Sequence, residues 1–212
     1  MKKYEWRKEE KSLYLPKAHP GIVDIPTFIF LSLEGVGNPN SEGFDKRVEA
    51  LYALSYTIKM AHKKGFQPKD FYQYTVYPLE GVWDIREEYK AAFDGKIDKD
   101  QLVYNIMIRQ PNFVSRVFFQ EALEVAKKKK KNEFLEKVRY IKIKEGISLQ
   151  MLHLGSYDSE TETFSLMEEF CKEQNLVRVS KKHREIYLSD PRKIDAPRLK
   201  TVLRFKVKEG EI

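Results

Sequence analysis

A single cysteine is the first scarcity in this sequence of 212 residues, and it excludes several kinds of protein at once. With Cys171 alone, no internal disulfide can form and no cysteine-based zinc cluster can be built. Cys171 lies in "SLMEEFCKEQ", a segment with helical spacing, and reads as a small half-buried residue rather than a nucleophile. Long apolar runs are also missing. The longest, "IPTFIFLSL", has the length of a strand and falls well short of the ~20 residues of a membrane-spanning helix. The N-terminal "MKKYEWRKEEKSLYLPK" has neither the apolar centre nor the small-residue cleavage site of a secretory signal, so a cytoplasmic protein without membrane contact is expected. "GVGNP" lacks dinucleotide-binding and P-loop spacing. No cofactor and no metal are expected.

What is present is the composition of a folded chain, with 42% hydrophobic and 13% aromatic residues. The formal charge of +7 raises the question of nucleic acid. Much of that excess is the run Lys127 to Lys131 at the end of a helical pattern, where lysines favour the negative helix terminus and stay solvated. No helix-turn-helix or zinc-finger spacing accompanies it, so direct nucleic-acid binding is not expected.

The chain reads as one domain over 1–212 made of two halves with the same order of elements, at about 22–112 and 138–208. In the first, "IPTFIFLSLEGVG" is a strand and "FDKRVEALYALSYTIKMAHKKG" a helix with Val48, Leu51, Tyr52, Ser55 and Ile58 on one face. "FYQYTVYPLEGVWD" and, after an insertion from Ile85 to Gln101, "LVYNIMIRQ" are paired strands. A linking helix starts at the cap Ser115. The second half then gives "ISLQMLHLGSYD", the helix "SETETFSLMEEFCKEQNL", and the strands "HREIYLSD" and "TVLRFKV". The expected fold is α+β: duplicated β-α-β-β units forming a curved antiparallel sheet with the helices on its convex face. Gly35 then corresponds to Gly155, and Tyr77 to Tyr187.

Such a sheet leaves its concave side uncovered. In "HREIYLSD", alternation sets His183, Glu185 and Tyr187 on one face and Ile186 and Leu188 on the other. If the apolar pair takes the core, the faces lining the groove carry Tyr77, Tyr157, His183, Glu185 and Tyr187, with Trp83 of "PLEGVWD" as a wall.

The motifs "YLPKAHPGIVDIPTFIFLSLEGVGNPN", "YPLEGVWD", "QMLHLGSYDSE", "HREIYLSDPRK" and "LKTVLRFKV" resemble stand-alone GyrI-like small-molecule-binding proteins and, more distantly, effector-binding domains of multidrug-sensing regulators. The resemblance spans nearly the whole chain and implies the duplicated fold. It also implies a groove for planar aromatic or cationic small molecules with an acidic residue at its base. In the subfamily with the long N-terminal motif it implies hydrolysis of cyclopropane-bearing DNA-alkylating natural products in an aromatic cage. Carried over by motif, the acid is Glu185 and the aromatics are Tyr187, Tyr157 and Trp83.

The chemistry follows from the residue types. Aromatic rings stack on planar molecules and present a negative face to cations. A carboxylate among them neutralises a cationic ligand or activates a water against a strained ring, and Glu185 is the candidate base. Other readings stay open. Strand tyrosines are commonly structural, His183 and His153 fit structural as well as catalytic roles, and Glu80 in "PLEGVW" fits a turn carboxylate capping backbone amides. Three classes remain: a hydrolase of cyclopropanoid xenobiotics, a non-catalytic drug-binding or sequestering protein, and a regulatory partner of another protein.

Overall fold

The computed structural model describes residues 3–90 and 98–210, so residues 91–97 of the expected insertion between Ile85 and Gln101 lie outside the described residues. In chain order the elements are α1 (Trp6–Glu9), α2 (Lys11–Tyr14), β1 (Gly21–Val36), α3 (Glu42–Lys59), β2 (Leu79–Ile85), α4 (Glu87–Lys90) and β3 (Leu102–Gln110). They continue with α5 (Arg116–Lys129), β4 (Arg139–Leu154), α6 (Glu160–Glu173), β5 (Leu176–Arg178), β6 (His183–Tyr187) and β7 (Lys200–Glu209). The fold is mixed α+β with antiparallel strand pairs. No helix among the described residues is long and apolar enough to cross a membrane. The chain divides into two compact units, the first of Met1–Glu5, Phe28–Leu79 and Trp83–Ile143, the second of Trp6–Thr27, Glu80–Val82 and Lys144–Ile212.

In the first unit β1 pairs antiparallel with β3, from Ile29 opposite Gln110 to Val36 opposite Val103. Ser41 and Ser115 start α3 and α5 as expected of N-caps, each hydroxyl accepting from the backbone N–H three residues on. The α3 face that carries Ala50, Leu51, Leu54 and Ile58 is fully buried. Gly65, in a left-handed conformation (φ 73°), closes the short 3-10 turn beyond α3. One expectation changes here: in "FYQYTVYPLEGVWD" the strand begins only at Leu79. Pro78 has no N–H to give a ladder, and the preceding aromatics turn inward instead, Phe71, Tyr72 and Tyr74 each packing on Phe113.

In the second unit β7 is central. It pairs with β4 on one edge (Met151 opposite Leu203) and with β6 on the other (Glu185 opposite Leu203), β5 continuing that edge at Val207–Glu209. One face of these strands packs on α6, where Met167 and Cys171 join Leu149, Met151, Leu203, Phe205 and Val207 in a closed core. The opposite face carries Gln150, Arg184 and Arg204, all buried. It is fastened to the N-terminal segment: Gln150 Nε2 donates to the Ser12 carbonyl (2.6 Å) and Arg204 Nη2 to the Leu13 carbonyl (2.6 Å).

This register corrects the expected position of Glu185. Directly opposed residues share a face, so Glu185, Leu203 and Met151 lie on the side that α6 covers. The side expected to be the core, that of Ile186, is buried too; it carries Arg184, Arg204 and Gln150, and the Ser12 and Leu13 carbonyls of α2 bond to it. Alternation separated the two sets correctly; what covers each set is decided by segments far away in the chain.

Candidate functional site

The turn before α6 brings the site together. Gly155 adopts φ +140°, where a Cβ would lie 2.9 Å from Ser159 Oγ, so the chain can reverse there only with glycine. His153 then clasps the turn, its Nδ1 bonding Thr163 Oγ1 (2.8 Å) and its Nε2 the Ser156 carbonyl (2.9 Å). That fixes His153 in a structural role and directs Tyr157 and Glu160 towards β6.

On β6, Glu185 is held at both oxygens. His183 Nε2 lies 3.0 Å from Oε1, and the Tyr187 hydroxyl donates to Oε2 at 2.7 Å. Glu185 is 8% exposed. The Tyr187 ring meets Tyr157 edge-on at 5.9 Å, and His183 meets Phe164 edge-on at 4.8 Å. Tyr157 is partly open to solvent, yet burial and the negative charge of Glu185 push its phenol up to about 12, so it remains a donor at any physiological pH.

A second carboxyl completes the cluster. Glu160, in the first turn of α6, is 7% exposed and has a carboxyl oxygen within 4.8 Å of one of Glu185. Burial and the charge of Glu185 push the Glu160 carboxyl well above the ordinary range, although a helix N-terminus by itself favours a carboxylate. Two carboxyls this close and out of water cannot both ionise cheaply, which favours the protonated form of Glu160. Ligand atoms of Glu160, His183 and Glu185 lie within 4.8 Å of one another, so these are the residues able to hold a cation.

Of the six residues singled out from sequence, Tyr157, His183, Glu185 and Tyr187 therefore form one cluster. Trp83 and Tyr77 belong to the first unit and have surroundings of their own. Trp83, 6% exposed, stacks near Phe44 (6.1 Å, 25°) and packs on Tyr104 (5.2 Å), whose ring lies directly over Gly35. Tyr77 is buried, with the Arg109 guanidinium 4.5 Å from its ring and 3.3 Å from that of Phe28. Glu80 is no turn cap. It is a buried strand residue paired with Arg184 at 2.8 Å.

Glu160 is the residue that sequence reasoning passed over. The signal was there in the helical period: the buried positions of α6 are Glu160, Thr163, Met167 and Cys171, which makes Glu160 a carboxyl on an apolar stripe.

The comparisons agree with this architecture. A solved structure described as a hydrolase from Listeria innocua is 34% identical, covers 97% of this chain and 100% of its own, and has a TM-score of 0.88. A second Listeria innocua hydrolase is 37% identical, with 98% and 100% coverage and a TM-score of 0.89. The C-terminal domain of EcmrR, 13% identical over 90% of this chain and 98% of its own, shares the fold at a TM-score of 0.53. No curated protein matches the chain. The model of the GyrI-like small molecule binding domain matches residues 19–208, and the chain belongs to that family.

Proposed function

We propose that the protein binds planar aromatic or cationic xenobiotics and hydrolyses the cyclopropane ring of cyclopropanoid DNA-alkylating molecules, with Glu185 as the base. The observation that carries this reading is a nearly buried carboxylate held at both oxygens by His183 and Tyr187, beside the ring of Tyr157. The two Listeria hydrolases, at 34% and 37% identity, support an enzyme over a binder. Trp83 and Tyr77 enter the reading as further ligand-contacting aromatics, with Trp83 the wall of the cage. The reading also takes the two halves as copies of one β-α-β-β unit, which superposing Gly35 on Gly155 and Tyr77 on Tyr187 tests, and places the protein in the cytoplasm without a nucleic-acid partner.

In a spirocyclopropyl dienone, water attacks a ring CH2 and gives its proton to Glu185. The C–C bond of the cyclopropane breaks, and its electron pair runs to the dienone oxygen as the six-membered ring becomes a phenolate; that oxygen takes a proton from solvent, and Glu185 releases its own to solvent. Aromatisation drives the step, so the protein's part is to place the ring, hold the water and receive the proton.

The test is incubation with excess spirocyclopropyl alkylator and mass analysis for added water. The wild type consumes the excess, and Glu185→Gln, which keeps the shape and removes the base, lowers turnover by on the order of 10² with little change in affinity for an uncharged substrate. Hydrolysis at the wild-type rate by Glu185→Gln removes Glu185 from the chemistry. A wild type that alters no more than one equivalent establishes the second reading, a binder, which the acid pair favours for cationic ligands.

A further inference from the structure

Glu160 has no task in the reaction just described. A spirocyclopropyl dienone collects its charge on an oxygen at the far end of a six-membered ring from the attacked carbon, whereas a carboxyl oxygen of Glu160 lies within 4.8 Å of one of the base. Its Oε1 is buried and has no hydrogen-bond partner, the condition of a carboxyl neutralised by a proton rather than by a donor group. The groups facing it are Glu185 and His183 of β6 and Tyr157 and Asp158 of its own turn. None of them is a permanent cation.

An acid and a base side by side suit a different electrophile, one whose attacked carbon and charge-collecting atom are neighbours. We propose that Glu160 and Glu185 form a proton-sharing acid–base pair that hydrolyses strained three-membered heterocycles, epoxides and aziridines, in this site. The inference rests on the reading of Glu185 as the base. Water bonds to one ring carbon and loses a proton to Glu185, while the adjacent carbon–heteroatom bond breaks and the heteroatom takes the proton of Glu160. The product is a vicinal diol or amino alcohol. The proton gained by Glu185 then passes to the neighbouring Glu160, and the pair is restored with no co-reactant other than water. One protonated and one ionised carboxyl at a shared site are the requirement of concerted acid–base hydrolysis.

The experiment uses styrene oxide in 18O-labelled water with the full chain, followed by mass analysis of the diol. The wild type turns over excess oxide and incorporates one label. Glu160→Gln has the size and neutrality of the protonated carboxyl, so the fold is kept, as a thermal melt checks, yet it has no acidic proton to give. Turnover falls by on the order of 10² in Glu160→Gln and in Glu185→Gln, and not in Glu162→Gln, an exposed position on the same helix. The pH profile is the readout that a structural role would not move: the wild-type rate declines on the alkaline side as Glu160 loses its proton, and that decline is absent from Glu160→Gln. Wild-type turnover by Glu160→Gln, or no turnover of oxide by the wild type, overturns the proposal. So does a stoichiometric divalent ion whose removal by EDTA abolishes activity, because the carboxyls are then metal ligands. A spirocyclopropyl dienone assayed in parallel separates the two readings: oxide without dienone hydrolysis sinks only the earlier one, and dienone without oxide hydrolysis only this one.

Discussion

Replacing Arg184 by Leu tests the account of what holds the second unit together. Arg184 is 3% exposed; its Nη1 bonds Glu80 Oε2 at 2.8 Å and its Nε lies 3.2 and 3.1 Å from the two oxygens of Glu145. Arg204 reaches Glu145 at 3.6 Å but is also committed to Gln150 and Leu13, so it cannot replace the lost cation. Leucine leaves two buried carboxylates short of their principal partner, a loss of about 3–5 kcal/mol. For a chain of this size, that lowers the melting temperature by roughly 6–20 °C. Urea titration followed by tryptophan fluorescence reads the loss, since Trp6 lies in the second unit. The effect depends on pH in a defined direction. Burial pushes the Glu145 carboxyl up, and the charges of Arg184 and Arg204 reverse this, leaving it below its ordinary value of 4.5. Stability from Glu145 is therefore complete at neutral pH and is lost as pH falls below about 4.5. In Arg184→Leu the depression is relieved, so the gap between wild type and variant narrows in acid. A loss under about 1 kcal/mol at pH 7, or a gap independent of pH, refutes the reasoning.

Two further outcomes are expected. Gly35→Ala puts a methyl group into the Tyr104 ring, whose atoms lie 2.3–2.5 Å from that position, and should cost about 1–3 kcal/mol in a denaturant titration, with altered near-UV circular dichroism from Trp83 and Tyr104. Trp83→Ala and Tyr187→Ala should each weaken a planar aromatic ligand by about 1–3 kcal/mol in a fluorescence titration; unchanged affinity in both variants moves the binding site elsewhere.

Much of this molecule was legible in one dimension. The cap Ser115, the helical periods and the order of strands and helices depend on neighbours within a few residues, and they recur in the structure, although the strand expected from Phe71 begins only at Leu79. The same holds for β6: alternation puts His183, Glu185 and Tyr187 on one side, and the two hydrogen bonds to Glu185 follow from that side being shared. Sequence gives a strand two faces and an order, but no layer. That Glu185 faces α6, that Glu160 of that helix lies beside it and is pushed towards its neutral form, and that Arg184 reaches Glu80 and Glu145 all depend on contacts between distant segments. The tertiary structure decided these because buried charges settle only where a proton or a counter-charge is delivered to them, and here each was delivered by another part of the chain.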